Sequence, residues 1–421
     1  MPNYLKLIKH LLIPLEKKAI TKAIIDMSTI YNDESKLFAY NATVCYPKKS
    51  SNKIRQKNTF TAHGRSSVSR EMALLKCLGE AIERYCLYYH KDDDIYSSFS
   101  NIKQEALDPS IYINHRMVKI KKISWIKGYN ITKNINTLIP AQLVYLSNLK
   151  NTDEVRLSEI ISTGAAGGFT HESALLRGMY EVIERDAFMT MYLLKGEPTR
   201  INTDTIKNKT INKIVDTYRK YRLDVLLFDI TNDLQIPTFL TILIDKTGLG
   251  PAICLGLKTG LNIKEAIIGS LEEASLPRSL GRGMLDETNK EYIINQNSIH
   301  TIKDRALYWL YPKMFTKIKF LLDQPPIVLK TNYLKKYKEK EEFEIVKGLL
   351  EKKGFQIYYA DITLNFFRKS NYLVYKVVIP ALQPLYLDEK YKILILDRLK
   401  TVSKFYNQKK ITINNVPHPF L

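Results

Sequence analysis

Two segments of this chain, 101 positions apart, carry nearly the same helix. ALLKCLGEAIER (73–84) and ALLRGMYEVIER (174–185) share Ala, Leu, Leu, a basic residue, Glu, Ile, Glu and Arg at equivalent places. A weaker third copy, AIIGSLEEASLPR (266–278), again sets a glutamate, Glu273, seven residues after an alanine, Ala266, with Leu271 two before it. Solenoid repeats recur every ~20–50 residues, so these offsets do not describe a repeat array. They call instead for a fold that brings carboxylates together on three similar helices from distant parts of the chain.

On a helix, Glu80 and Glu83 lie on one face, about 5–6 Å apart at Cβ, and Arg84 is the i+4 neighbour of Glu80. Glu181, Glu184 and Arg185 repeat that geometry. A lone E-x-x-E-R is an ordinary surface ion pair worth a few tenths of a kcal/mol. Repetition of the pair together with its apolar frame points to shared chemistry. A hard divalent cation needs carboxylate oxygens from more than one element, and magnesium takes one or two carboxylates and completes its shell with water and phosphate. Glu80, Glu83, Glu181, Glu184 and Glu273 therefore suit more than one ion bridging a triphosphate, with nearby arginines holding phosphate charge. HGRSSVS (63–69), before the first copy, either offers N–H groups to phosphate or simply caps the helix through Ser69. STGAAGG (162–168), before the second, is either a phosphate-approaching turn or a tight structural one. No Walker-type loop, kinase glycine loop or G-x-G-x-x-G is present.

The chain has 421 residues, 45 % of them hydrophobic, and a formal charge of +21. Disorder and a disulfide-stapled miniprotein are excluded, and the length suits two or three domains or one large fold. The charge favours anionic partners, or reflects a lysine-rich composition. Cys45, Cys77, Cys86 and Cys254 lack zinc or C-x-x-C spacing and read as reduced, mostly buried thiols of a cytoplasmic protein. The N-terminus carries no signal-peptide pattern, and the apolar runs are too short or too interrupted to span a membrane. Helices are expected near 70–90 and 171–195, and strands at 140–147, 223–231, 236–245 and 355–363. The strands at 223–231 and 355–363 both end in Asp-Ile-Thr and read as reached by helical crossovers. This alternation predicts an α/β or α+β fold. The charge-rich segment 335–354 reads as a solvated helix closed by Gly354, and 47–59 as a mobile loop.

Taken together, SVSREMALLKCLGEAIERYC, STGAAGGFTHESALLRGMYEVIERDAF, FDITNDLQIPTF, the third helix and YKVVIPALQPL resemble the YcaO family, ATP-dependent enzymes that phosphorylate peptide-backbone amides. The resemblance spans about 60–421, the catalytic domain, with 1–60 as an N-terminal segment packing on or leading into it. It implies a fold of two β-sheets flanked by helices, with ATP and Mg2+ held among three carboxylate helices. By position, Glu80, Glu83, Glu181, Glu184 and Glu273 match the family's metal- and nucleotide-site glutamates, and Arg84, Arg185 and Arg278 its arginines. Ser69, Lys76 and Arg177 join the nucleotide-site candidates. Lys76, Arg177 and Leu276 depart from commoner family residues, as do Arg65, Ser66 and Ser67 in the first glycine turn.

The terminus, INNVPHPFL, resembles the proline-rich end of azoline-forming members, whose last carboxylate reaches the active site, although Leu421 replaces the usual proline. Pro417, Pro419, Leu421 and Arg185 are therefore the catalytic candidates. The resemblance implies a cyclodehydratase that makes thiazolines or oxazolines from Cys, Ser or Thr of a ribosomal precursor peptide. It also implies a separate, ubiquitin-activating-enzyme-like partner for the leader peptide, and family members are often homodimers. Alternatives are a thioamide-forming member that takes up sulfide through an accessory protein, and a non-catalytic basic scaffold for peptide or RNA. Read without the family, the terminus is a frayed, proline-ended tail. No basic, aromatic-interleaved motif favours nucleic acid, and no membrane is indicated. His63, His171 and His418 read as exposed or capping residues before proton carriers, and Cys77 and Cys86 as packed thiols.

Overall fold

A computed structural model of the protein describes residues 4–28, 37–47, 58–89, 94–112, 121–146, 154–248, 250–287, 295–329 and 336–421. The loop expected over 47–59 falls outside these residues except at its ends. The chain divides into two units. One comprises Met1–Ile30, Leu37–Val182 and Lys338–Ala381, and the other Ile183–Tyr337 and Leu382–Leu421. No helix among the described residues is long and apolar enough to cross a membrane.

In the first unit, helix Arg70–Tyr88 starts at Ser69, whose Oγ accepts the Met72 N–H at 3.2 Å. Its apolar positions Ala73, Cys77, Ala81 and Ile82 recur at helical spacing and are buried, so one stripe faces the core. Strands Thr21–Asp26, Phe38–Cys45 and Thr59–Ser66 form an antiparallel sheet against that stripe. Residues before 60 thus supply a helix, Tyr4–Lys17, and two strands of this unit. The approach is close: a Cβ on Gly64 would stand 2.1 Å from the Ala73 carbonyl oxygen, so only glycine fits. A six-stranded sheet runs in the order Ile95–Ser98, Lys122–Asn130, Tyr358–Asp361, Leu373–Val378 and Ala165–Gly168, with Ile135–Pro140 also paired to Lys122–Asn130.

In the second unit, four antiparallel strands run in the order Ile253–Thr259, Thr238–Asp245, Leu223–Asp229 and Thr199–Ile201. Ile211, Ile214, Val215 and Tyr218 of helix Lys209–Lys220 and Ala266, Ile267 and Leu271 of helix Ile263–Glu273 share one core cluster with this sheet.

The class is the expected α+β one, with four differences of detail. There are three sheets rather than two among the described residues. Helices Lys209–Lys220 and Glu339–Lys352 do precede Leu223–Asp229 and Tyr358–Asp361, but those strands pair antiparallel, so no βαβ crossover is made. The strand expected at 140–147 ends at Pro140; Val144 and Tyr145 N–H groups both turn back to the Ala141 carbonyl instead of joining a ladder. The third repeated helix also stops at Glu273, and a separate helix, Ser275–Glu287, carries Arg278. Pro277 has no N–H to give to the Glu273 carbonyl four residues back, which breaks the helix there.

A buried ion pair ties the second unit together. Arg398 donates from Nε to Asp186 Oδ1 at 2.9 Å and from Nη2 to Oδ2 at 2.7 Å. The same carboxylate accepts Asn232 Nδ2 at 2.9 Å and the Gln383 N–H at 2.8 Å, joining four distant segments at one buried charge. Removing one partner of such a pair strands the other charge. Arg398→Ala is expected to lower stability by about 3–5 kcal/mol in urea unfolding; an unchanged midpoint would show that the pair carries no weight.

Candidate active site

The repeated helices place their glutamates by one rule. The first glutamate of each copy accepts a backbone N–H from the segment leading into its own helix. Glu80 takes the His63 N–H at 2.9 Å, Glu181 that of Gly164 at 3.0 Å and Glu273 that of Leu257 at 3.0 Å, spacings of 17, 17 and 16 residues. The second glutamate accepts one from the segment before the next copy. Glu83 takes the Gly167 N–H at 2.8 Å, and Glu184 that of Thr259 at 2.8 Å. The third copy has Leu276 where this second glutamate would stand, and the pattern stops.

The glycine turn 162–168 is therefore not merely tight. Gly164 sits at φ +87°, a conformation costly for other residues, and an added Cβ would stand 2.2 Å from the Val377 carbonyl oxygen. A Cβ on Gly167 would collide with the Tyr372 hydroxyl. These glycines let two amides reach Glu181 and Glu83.

In the first unit, Arg84 Nε pairs with Glu80 Oε1 at 2.8 Å, and Arg177 Nη1 donates to the Gly167 carbonyl at 3.3 Å. Lys76 and Arg177 are both exposed. Burial pushes Glu83 up to about 7, opposed by the Gly167 N–H and Arg177 and reinforced by Glu80 and Glu181. Sequence reading missed Lys376, which is buried on strand Leu373–Val378 and donates from Nζ to the Ile161 carbonyl at 2.8 Å. Burial lowers its ammonium to about 8, with Glu181 opposing.

In the second unit, Arg185 Nη1 meets Glu184 Oε1 at 2.6 Å, both residues buried. Glu273 is pushed up to about 7, first by burial and then by repulsion from Glu184, against Arg185 and Lys258. Arg278 is buried and bound to Asp245 at 2.7 Å, an ion pair of the fold. Gly250 makes room for it: a Cβ there would stand 2.6 Å from Arg278 Nη1.

The terminal segment is not frayed. Pro417, His418, Pro419 and Phe420 are buried in the second unit. The Phe420 ring lies 4.4 Å from the Arg185 guanidinium carbon, packed against Phe188 as well. His418 is neither exposed nor a cap. It is fully buried, its ring nitrogen Nε2 lies 2.6 Å from the Tyr386 carbonyl, and burial holds its pKa well below the ordinary histidine range. Of the other histidines, His63 is half-buried beside Asn41 at 2.9 Å, and exposed His171 meets the Tyr375 hydroxyl at 3.0 Å. Burial drives the Cys77 thiol up to about 12, as suits a packed thiol.

All-oxygen donors whose pKa values burial raises fit a hard cation, whose charge favours the ionised carboxylates that burial disfavours. Among the described residues, no three His, Cys, Asp or Glu side chains already converge to chelate an ion.

The comparisons with known proteins agree. An uncharacterised protein of Methanothermobacter thermautotrophicus is 23 % identical over 324 residues, 76 % of this chain and 81 % of its own. A heterocyclase solved in complex with substrate and cofactor superposes with a TM-score of 0.78 at 18 % identity, over 97 % of this chain and 57 % of its own, so this chain spans little more than half of that protein. The YcaO protein of Methanopyrus kandleri, solved with AMPPCP and Mg2+, gives a TM-score of 0.68 at 13 % identity over 93 % of this chain and 94 % of its own. Both share the fold. Residues 64–383 match the model of the YcaO cyclodehydratases, which bind ATP and Mg2+. The chain belongs to the YcaO family.

Proposed function

We propose that this protein is an ATP-dependent cyclodehydratase that forms thiazolines or oxazolines from Cys, Ser or Thr of a ribosomally made precursor peptide. The observation that carries the azoline reading is the buried terminal segment, which lays Phe420 on Arg185 beside Glu184. A tail packed on a site arginine is suited to act on the reaction and not merely to end the chain.

In this reading Glu80, Glu83, Glu181, Glu184 and Glu273 hold Mg2+. Their anchoring amides keep each carboxylate in place without neutralising it. Ser69, Lys76, Arg84 and Arg177 serve the nucleotide, and the two exposed cations, Lys76 and Arg177, meet phosphate charge. ATP, when bound, turns the amide oxygen of the side-chain adduct into a phosphate, a far better leaving group than the oxygen itself. Arg185, fixed by Glu184 and Phe420, is set to stabilise the developing negative charge. Pro417, Pro419 and Leu421 fix the course of the tail beside it. A leader-binding partner resembling a ubiquitin-activating enzyme, a cytoplasmic setting and a homodimer complete the proposal. The net charge of +21 supports attraction of an acidic leader or partner.

Mass spectrometry of a candidate precursor peptide, incubated with enzyme, partner and ATP, is the direct test. Loss of one water per modified site is expected; exchange of an oxygen for a sulfur would replace the azoline reading with thioamide formation. Deleting Pro417–Leu421, or Phe420→Ala, is expected to cut cyclisation by about a hundredfold or more, the scale of losing one transition-state charge contact. Unchanged cyclisation would remove the tail from the mechanism. Glu181→Ala and Glu273→Ala are each expected to abolish peptide-dependent phosphate release, and release equal to that of the unaltered protein would move ATP elsewhere.

A pH prediction follows from the raised pKa values of Glu83 and Glu273. Folding raises both above the ordinary value of 4.5, so the folded state binds more protons than the unfolded one between about pH 4.5 and about 7. Their contribution to stability is present below that window and is lost as pH rises through it. The metal-free protein is therefore expected to lose thermal stability across the window. Glu83→Gln and Glu273→Gln should each flatten that slope, and magnesium with a non-hydrolysable ATP analogue should restore stability at its upper end. Parallel melting curves for all three proteins would overturn the assignment.

A further inference from the structure

We propose that Arg305, Trp309 and Tyr192 form a side-chain clamp that sets the register of the terminal tail and so positions Phe420 against Arg185. The inference rests on the functional reading above and adds three positioning residues to it. A tail written Pro-His-Pro offers little to a sheet, because Pro417 and Pro419 have no backbone N–H to donate. Recognition falls to its carbonyls, and the second unit meets two of them with side chains. The Tyr192 hydroxyl and Trp309 Nε1 both donate to the Pro417 carbonyl, each at 3.1 Å. Arg305 Nη1 donates to the His418 carbonyl at 2.8 Å.

The clamp is itself rigid. Arg305 is fully buried, an expensive place for a guanidinium unless its remaining donors are satisfied. They are: Nη2 reaches the Leu387 carbonyl at 2.6 Å and Glu389 Oε1 at 2.8 Å, and Nε reaches the Leu387 carbonyl at 3.3 Å. Arg305 and Trp309 are four residues apart at the end of helix Ile302–Tyr308, so one helical face presents both donors. Upstream, Asn414 ties the tail to the second glutamate helix, its N–H on the Leu193 carbonyl at 2.7 Å and its Nδ2 on the Tyr192 carbonyl at 3.2 Å. From Asn414 to Phe420 the tail thus retraces the helix from Leu193 and Tyr192 to Phe188 and Arg185. Each clamp bond fixes the position of the next carbonyl along that path. They add to the Phe188 packing and the His418 contact with the Tyr386 carbonyl in holding Phe420 on the guanidinium.

The test uses Tyr192→Phe, which removes a donor and keeps the ring, with Trp309→Phe, which removes the other donor and leaves a smaller ring in its place, together with Arg305→Lys. Hydrogen exchange over 414–421 reads the clamp independently of any activity. The double variant is expected to exchange there about tenfold faster, with the rest of the second unit unchanged. Unchanged protection of the tail would overturn the clamp, whatever the enzyme's chemistry proves to be. Cyclisation kinetics then read its role. The expected result is a fall in kcat of about tenfold, with KM for ATP held, and no further loss when the same substitutions are made in the protein lacking Pro417–Leu421. Losses that multiply with the deletion would mean that these residues support the fold and not the tail, and would overturn the positioning role. If even the unaltered protein cyclises nothing, the functional reading fails while the exchange result still decides the clamp.

Discussion

The arrangement on which the rest depends is a backbone N–H given to each site carboxylate. A glutamate on a helix face normally points into water, where its position is unfixed. Here each is drawn back to a strand or turn, and the helix is pinned to that segment by its repeated glutamates. A neutral donor orients a carboxylate without cancelling its charge, so like charges accumulate in partly buried surroundings. Burial first, and neighbouring carboxylates after it, move Glu83 and Glu273 toward neutrality. On the proposed reading, the bonds that aim these carboxylates at magnesium are the same ones that order the helices.

The three copies are for this reason strand-and-helix units and not just helices. Each first glutamate closes its own unit over 16 or 17 residues, and each second glutamate reaches into the next unit. Glycine is required where the closure is tight. Gly64 lets a strand lie against the first helix, and Gly164 bends back to offer its amide to Glu181. The STGAAGG turn gives two of its amides to the carboxylates Glu181 and Glu83.

How much of this was legible in the sequence depended on range. The helices and their glutamates were readable because the i, i+3, i+4 frame is local and was written twice, and the Ser69 cap because a helix start has a short signature. The anchoring amides were not readable, since a backbone N–H has no residue identity to betray it. Asp186 stands next to Arg185 with no local sign of its role, because its partners Arg398, Asn232 and Gln383 lie up to 212 residues away. Lys376 was hidden inside an apolar strand, where its burial beside Ile161 and its nearness to Glu181 belong to the sheet register alone. The end of the third helix, by contrast, had a local sign in Pro277 that outlined the break before Arg278.

The tail is held by contacts that its own sequence does not contain. Its sequence alone fits a loose end, for two prolines forbid a ladder and nothing nearby supplies a turn. What holds it is a set of donors chosen from outside: a tyrosine, a tryptophan and a buried arginine, each aimed at a carbonyl. Recognition through carbonyls reads the backbone path and leaves side chains free, except where proline narrows the path itself. Phe420 is the exception, because its ring meets Arg185 directly, while Leu421 is half-buried beyond it. On this logic the prolines and the aromatic carry the constraint. A leucine in the last place changes the end of a path whose course is already set three carbonyls earlier.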